Sequence, residues 1–202
     1  ACVLHYRANN APIKKGDLLL CDAGAEYGFY ASDITRTWPT NGRFSKAQRE
    51  LYDIVLAAQL ECIGKAAVGV AYDVIHQAAV QVITDGLLSL GLLKGSLKKN
   101  IESAAYKKFY MHKTGHWIGL DVHDVGEYKL GGSSRLLEPG MVFTVEPGLY
   151  IAPGTPGVPD KYQGIGIRIE DDVLMTAKGP EVISDGVPKT VDAIESLMAS
   201  AR

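Results

Sequence analysis

Four acidic residues stand in or beside apolar runs of this chain: Asp22 after LLLC, Asp33 in YASDITRT, Glu146 in VFTVEPG and Glu170 in IGIRIEDD. A carboxylate is seldom buried unless it is paired or bound to a metal ion. Taken singly, each reads as a turn cap or a solvated strand end. Four on strand-like segments call for a shared cause. Asp22 and Asp33 lie 11 positions apart (33 − 22) across a glycine-bearing hairpin, so two paired strands can present both on one sheet face. Glu146 and Glu170, 24 apart (170 − 146), repeat the device over a longer connection.

Histidines accompany the acids. The run MHKTGHWIGLDVHD holds His112, His116 and His123, and His5 stands near the start of the chain. The spacing of His112 and His116 would suit a helical zinc pair, but Gly115 and the β-type run that follows argue against a helix there. His116 and His123 would point to opposite faces of an unbroken strand, and Gly119 supplies a place for the chain to bend and bring them together. A lone histidine is more often structural; three so close together shift that balance. Four carboxylates and an imidazole in one cavity cannot all be ionised without counter-charge. Two divalent cations would balance the four acids, and oxygen-rich ligation with one imidazole suits manganese, cobalt or iron(II). Two such ions about 3.5–4 Å apart generate hydroxide and stabilise a hydrolytic transition state.

The elements that must position these residues follow an α+β order. CVLHY, GDLLLCDAG and YGFYASDITRTW read as strands, the last two forming an antiparallel hairpin. A helix opens at Ser45 and ends near Gly69, a second runs from about Asp73 to Leu90 with Gly91 as its stop, and a third runs from Ser96 to about Tyr110. Strand signals return in GHWIGLDVHD, GMVFTVEPGLYI and GIGIRIEDDVLM, and Thr190 to Ala201 reads as a closing helix. Strands, then helices, then strands is not the alternation of a doubly wound sheet, and with no linker the expectation is one domain over residues 1–202.

Composition narrows the partners. Of 202 residues 47% are hydrophobic and 22% charged, and 21 Lys and Arg against 23 Asp and Glu leave a net charge of −2. That balance argues against nucleic-acid binding or a polybasic membrane surface. No apolar run has the roughly 20 residues of a membrane span, and ACVLHYR lacks a signal-peptide pattern, so a cytoplasmic location is expected. Cys2, Cys21 and Cys62 have neither the number nor the spacing of a disulfide framework or a cysteine zinc site.

The runs CDAG, SDITRTWPTNGRFS, HKTGHWIGLDVHDVG, LEPGMVFTVEPGLY and GIGIRIEDDVLMT resemble the catalytic domain of the pita-bread metallopeptidases, in particular the aminopeptidase P (Xaa-Pro aminopeptidase) branch. The resemblance covers essentially the whole chain. It implies a curved antiparallel sheet with helices packed outside. It also implies a dinuclear centre, usually manganese, with cobalt, iron(II) or zinc as alternatives, and Asp22, Asp33, His116, Glu146 and Glu170 as ligands. Asp33 and Glu170 would bridge the ions, Asp22 would chelate one, and His116 with Glu146 would hold the other. His5, His112 and His123 fall at substrate-side positions, and Arg168 falls beside the metal cluster. Strand parity agrees for Arg168, which shares a face with Glu170 while Ile167 and Ile169 oppose it; a surface ion pair is its structural alternative.

The implied reaction is hydrolysis of the first peptide bond of peptides with proline at position two by a metal-bound hydroxide. Glu146 would relay the proton, and His112 and His123 would hydrogen-bond the substrate and the oxyanion. A proline dipeptidase or methionine aminopeptidase of the same fold is the enzymatic alternative. A non-catalytic peptide-binding module is the other. Family members carry further structure ahead of the LHY segment, so this chain is expected to lack an N-terminal portion and, alone, to expose apolar faces. A homo-oligomer is expected of the full-length protein.

Overall fold

The computed structural model describes residues 2–201. The LLLCDA run forms strand β1 (Leu18–Ala23), after which a small hairpin of β2 (Glu26–Tyr27) and β3 (Tyr30–Ala31) leads into β4 (Ile34–Pro39). Gly28 and Phe29, with φ of +57° and +73°, make the two-residue turn whose left-handed conformations match the twist of a hairpin. β1 and β4 pair antiparallel with Asp22 opposite Thr35. The YGFYASDITRTW run is therefore three short strands, because that turn interrupts it.

Helix α1 (Lys46–Lys65) starts at a reciprocal cap: the Ser45 hydroxyl accepts from Gln48 N–H at 3.3 Å, and Ser45 N–H donates to the Gln48 amide oxygen at 2.8 Å. Helix α2 (Asp73–Ser89) stops where Gly91 turns left-handed, φ +71°. The two helices pack together at Gly86, where any Cβ would collide with Ile54. Helix α3 (Leu97–Glu102) is shorter than expected: Ala104, at φ +53°, breaks it, and one 3-10 turn at Ala105–Lys108 follows.

The second half holds the short hairpin β5 (Lys129–Leu130) and β6 (Ser133–Ser134), then β7 (Val142–Val145), β8 (Gly148–Ile151), β9 (Ile165–Arg168), β10 (Asp171–Thr176) and β11 (Gly179–Val182). Helix α4 (Val191–Ser200) is capped by the Thr190 hydroxyl. β10 pairs antiparallel with both β7 and β11, and β8 pairs antiparallel with β9. β7–β8 and β9–β10 are thus two arms of one long hairpin whose ladder lapses at Glu146–Pro147 and Ile169–Glu170. There the backbone turns to other partners: Glu146 N–H donates to Thr114 O at 2.7 Å, and Glu170 N–H donates to Thr35 O at 3.1 Å. Apolar faces of α1 and α2, among them Leu51, Val55, Ala79 and Ile83, share a core with Phe143, Leu149, Ile167 and Val173 from the strands.

Two expected strands are absent. CVLHY is rich in apolar residues, but it pairs with no strand among the described residues, and the Cys2 thiol donates to Ile151 O at the end of β8. GHWIGLDVHD keeps one bridge, Trp117 to Phe143, and then folds back, because Gly119 N–H donates to Asp121 O and Asp124 N–H donates to Trp117 O. β11 was not anticipated; its GPEV sequence gives no apolar alternation to read.

One buried acid ties the layers together. Asp171 is fully buried and takes Arg36 Nη2 at 2.6 Å, Lys189 Nζ at 2.7 Å, Ser184 Oγ at 2.6 Å and Gln59 Nε2 at 2.6 Å. Burial alone would raise its pKa, but the Lys189 and Ser184 hydrogen bonds, followed by Arg36, outweigh burial and hold it below 3.8. Its stabilising contribution is therefore complete above that value and is lost as pH falls through the depressed folded pKa. Asp171→Ala is expected to cost about 3–5 kcal/mol by stranding the buried Arg36 and the half-buried Lys189. In denaturant titrations at pH 7 and pH 3, Asp171→Asn should show a smaller pH dependence than the parent protein.

Candidate metal centre

The β1–β4 register makes Asp22 and Asp33 diagonal neighbours on one sheet face, with Thr35 and Thr37 in the same row. The lapse in the long hairpin brings Glu146 and Glu170 to that face from the other side. His116, on the irregular segment beside β7, completes the group. Donor atoms of Asp22, Asp33 and Glu170 lie within 4.8 Å of one another, as do those of His116, Glu146 and Glu170. A third set, Asp33, His116 and His123, meets the same limit. His116 Nε2 is 3.4 Å from Asp33 and 3.6 Å from Glu146.

The surroundings prepare these groups to bind cations. His116 Nδ1 lies 3.0 Å from the Trp117 carbonyl, which can only accept, so Nδ1 carries a proton and Nε2 is the nitrogen turned to the carboxylates, where, against burial, Asp33 holds the ring's pKa above its ordinary value. Thr35, fully buried, donates its hydroxyl to Glu170 Oε2 at 2.5 Å and accepts from Arg168 Nε at 3.1 Å. Arg168 donates also to Asp22 Oδ2 at 2.5 Å and to the Tyr150 hydroxyl at 3.2 Å. Asp172 accepts the Asp33 N–H at 3.1 Å, and the Thr144 hydroxyl lies 3.3 Å from Glu146 Oε1.

Burial acts on every acid. Burial, with Glu146 and Asp33 behind it, pushes Glu170 well above the carboxylate range, and burial lifts Glu146 to about 7. Burial also raises Asp22 despite Arg168. Asp33 resists burial through its hydrogen bonds with His116 and Asp22 and is held below its usual value. Four carboxylates against Arg168 and a histidine cannot all be ionised; divalent cations would restore the balance, and hard oxygen donors with one imidazole fit them.

The substrate-side candidates fare differently. His123 is exposed on the cavity, its ring 4.1 Å from that of His116, so Gly119 does provide the bend that strand parity required. His5 is exposed and lines the same cavity. His112 is held at both nitrogens: Nδ1–H donates to Lys113 O at 2.6 Å, and Nε2 accepts the Tyr150 hydroxyl at 2.9 Å. Burial keeps that ring neutral, its pKa down at about 4. Sequence reading missed Thr35, Thr144, Tyr150 and Asp172. Parity could have found three of them, since Thr35 is two from Asp33, Thr144 two from Glu146 and Asp172 two from Glu170.

The chain belongs to metallopeptidase family M24, whose pattern it matches over residues 1–177. Within that family it is 50% identical to the Xaa-Pro aminopeptidase of Haemophilus influenzae over 198 residues, 98% of this chain and 46% of the relative. It is also 50% identical to that of Escherichia coli, over 100% of this chain and 45% of the relative. The structure of Pseudomonas aeruginosa aminopeptidase PepP matches with a TM-score of 0.98 at 57% identity, across 99% of this chain and 45% of that one. Zinc-substituted E. coli aminopeptidase P in complex with product matches at 0.95. The fold is the pita-bread fold of these enzymes, and the chain spans somewhat less than half the length of the relatives it matches.

Thr35 is where the ligand set is most open to a clean test. Thr35→Val keeps the shape but leaves Glu170 and Arg168 without their hydroxyl. Calorimetric titration with a divalent ion is expected to show affinity about 10–100-fold weaker, the usual effect of losing a hydrogen bond to a ligand, with Thr35→Ser close to the parent.

Proposed function

We propose that the protein to which this chain belongs removes the N-terminal residue from peptides with proline at position two, with two divalent ions held by Asp22, Asp33, His116, Glu146 and Glu170. The observation that carries this reading is the pair of donor triads that share Glu170 inside one cavity. Further support comes from relatives that are half identical to it over nearly all its length and are Xaa-Pro aminopeptidases. Manganese is the ion we favour; cobalt, iron(II) and zinc suit the same donors. Bound there, divalent ions supply Lewis acidity and lower the pKa of a water molecule.

The residues divide the remaining work. Asp33 and Glu170, which belong to more than one group of donors, would bridge the two ions; Asp22 would serve one, His116 and Glu146 the other. Glu146, whose Oε1 also meets the Thr144 hydroxyl, accepts the proton and relays it. His123, open to the cavity and without a competing hydrogen bond among the described residues, donates to the developing oxyanion. His5 contacts the peptide at the cavity wall. Arg168 fixes Asp22 and, through Tyr150, the ring of His112; His112 meets substrate by exchanging the Tyr150 hydroxyl for a peptide group.

Hydrolysis of an Xaa-Pro-Xaa tripeptide in preference to an Xaa-Pro dipeptide, by the metal-loaded full-length protein, is the test; the opposite preference would make it a dipeptidase. His123→Ala should retain its ions by elemental analysis and lose roughly 10²-fold or more in turnover, the scale of one positioned donor. Asp33→Asn should weaken both ions together, since an amide is a poorer bridge; loss of a single ion in the same analysis would remove Asp33 from the bridging role.

A further inference from the structure

The cavity wall holds a histidine to which the aminopeptidase reading gives no task. His76, in the first turn of α2, lines the cavity that contains the carboxylates, and Lys113 and Lys129 line it as well. Its Nδ1 is 2.8 Å from the Thr114 hydroxyl, which is 2.5 Å from the Tyr110 hydroxyl. Thr114 and Tyr110 are buried, and the His76 ring rests tilted against that of Tyr110 with centroids 5.8 Å apart. One edge of the imidazole is therefore fixed. Nε2 has no hydrogen-bond partner among the described residues and is not sealed from the cavity.

A threonine hydroxyl can donate or accept, so Thr114 tolerates either tautomer of His76, and Nε2 can serve as donor or acceptor. Burial, then the charge of Lys113, holds its pKa down at about 4, so the ring is neutral at neutral pH. A neutral group of either polarity suits peptide main chain, which offers both N–H and C=O. The cavity, about 890 Å³, lies toward the upper end of the roughly 300–1,000 Å³ typical of small-ligand sites. A site that releases one residue needs room for one residue ahead of the scissile bond, and the remaining space is available to the chain behind it. Two lysines against Asp73 alone on this part of the wall also repel a substrate's ammonium end and favour its carboxylate end.

We propose that His76 is a substrate-binding residue that hydrogen-bonds the peptide main chain beyond the proline, and so sets a preference for longer peptides. The proposal rests on the aminopeptidase reading given above.

The test compares wild type, His76→Leu and His76→Gln in the full-length protein on Xaa-Pro-Xaa and on a five-residue peptide beginning Xaa-Pro. His76→Leu is expected to raise KM for the longer peptide roughly five- to tenfold, the factor carried by one neutral hydrogen bond, with kcat and bound metal unchanged and the tripeptide altered by less than about twofold. His76→Gln, which keeps a side-chain donor and acceptor, should recover most of that loss. Equal losses on both lengths, a fall in kcat or a loss of bound ions would make His76 a support for the Thr114 segment and overturn the proposal, as would unchanged kinetics. A second readout is independent of turnover: titration with the product-type peptide Pro-Xaa-Xaa-Xaa should move the imidazole nitrogen resonances of His76, and binding without that movement would overturn the proposal. Wild type that cleaves no Xaa-Pro peptide, yet binds this peptide at His76, would count against the aminopeptidase reading alone.

Discussion

Like charges at close quarters are the constraint around which this structure is organised. Four carboxylates meet at one place, and each is held by a neighbour that could not be removed without cost: Thr35 on Glu170, Arg168 on Asp22, Thr144 on Glu146, Asp172 on the backbone of Asp33. In a medium of low effective dielectric such a cluster repels itself strongly. The fold answers with cations at two depths. Arg168 lies among the acids; Arg36 and Lys189 lie one layer behind, neutralised in part by Asp171.

The two layers are joined through the backbone. Arg36 donates to the carbonyl oxygens of Thr35 and Glu170 at 2.9 and 2.6 Å, the residues whose side chains meet on the opposite face. The same guanidinium therefore pins the two strands that carry Asp33 and Glu170, and its pairing with Asp171 keeps it from adding an unpaired charge to the interior. The lapse in the β7–β10 hairpin has a matching logic. Where Glu146 and Glu170 must point inward together, the regular ladder gives way and their N–H groups bond to Thr114 and Thr35, so no backbone donor is stranded.

Much of this was legible in the sequence. Acids at strand positions, the Ser45 and Thr190 caps, Gly91 as a helix stop and the bend at Gly119 all follow from local rules; the four clustered acids stand out by residue type and pattern, whereas only the family resemblance sets His116 apart from the other histidines. The misses share a cause in long-range context. CVLHY has the apolar residues of a strand, yet residue type without a neighbour to pair with makes no ladder. GHWIGLDVHD has β-type residues, but turn-forming Gly119 and Asp124 prevail over propensity. Tyr150 and His76 were invisible for another reason: nothing local distinguishes a tyrosine or histidine that meets a distant partner from one that packs.

The Thr35–Glu170 hydrogen bond spans 135 positions along the chain, and the Asp33–Asp172 contact spans 139. Contacts of such range are costly to form early, because a long loop must close before anything is gained from closing it. During synthesis the N-terminal acids Asp22 and Asp33 leave the ribosome long before Glu146 and Glu170 exist to complete the group. Glu170, the most deeply buried of the four acids, arrives last, so a nascent chain cannot bring the group together until most of it has been made, and the order of synthesis sets the order in which the proposed metal centre could be completed.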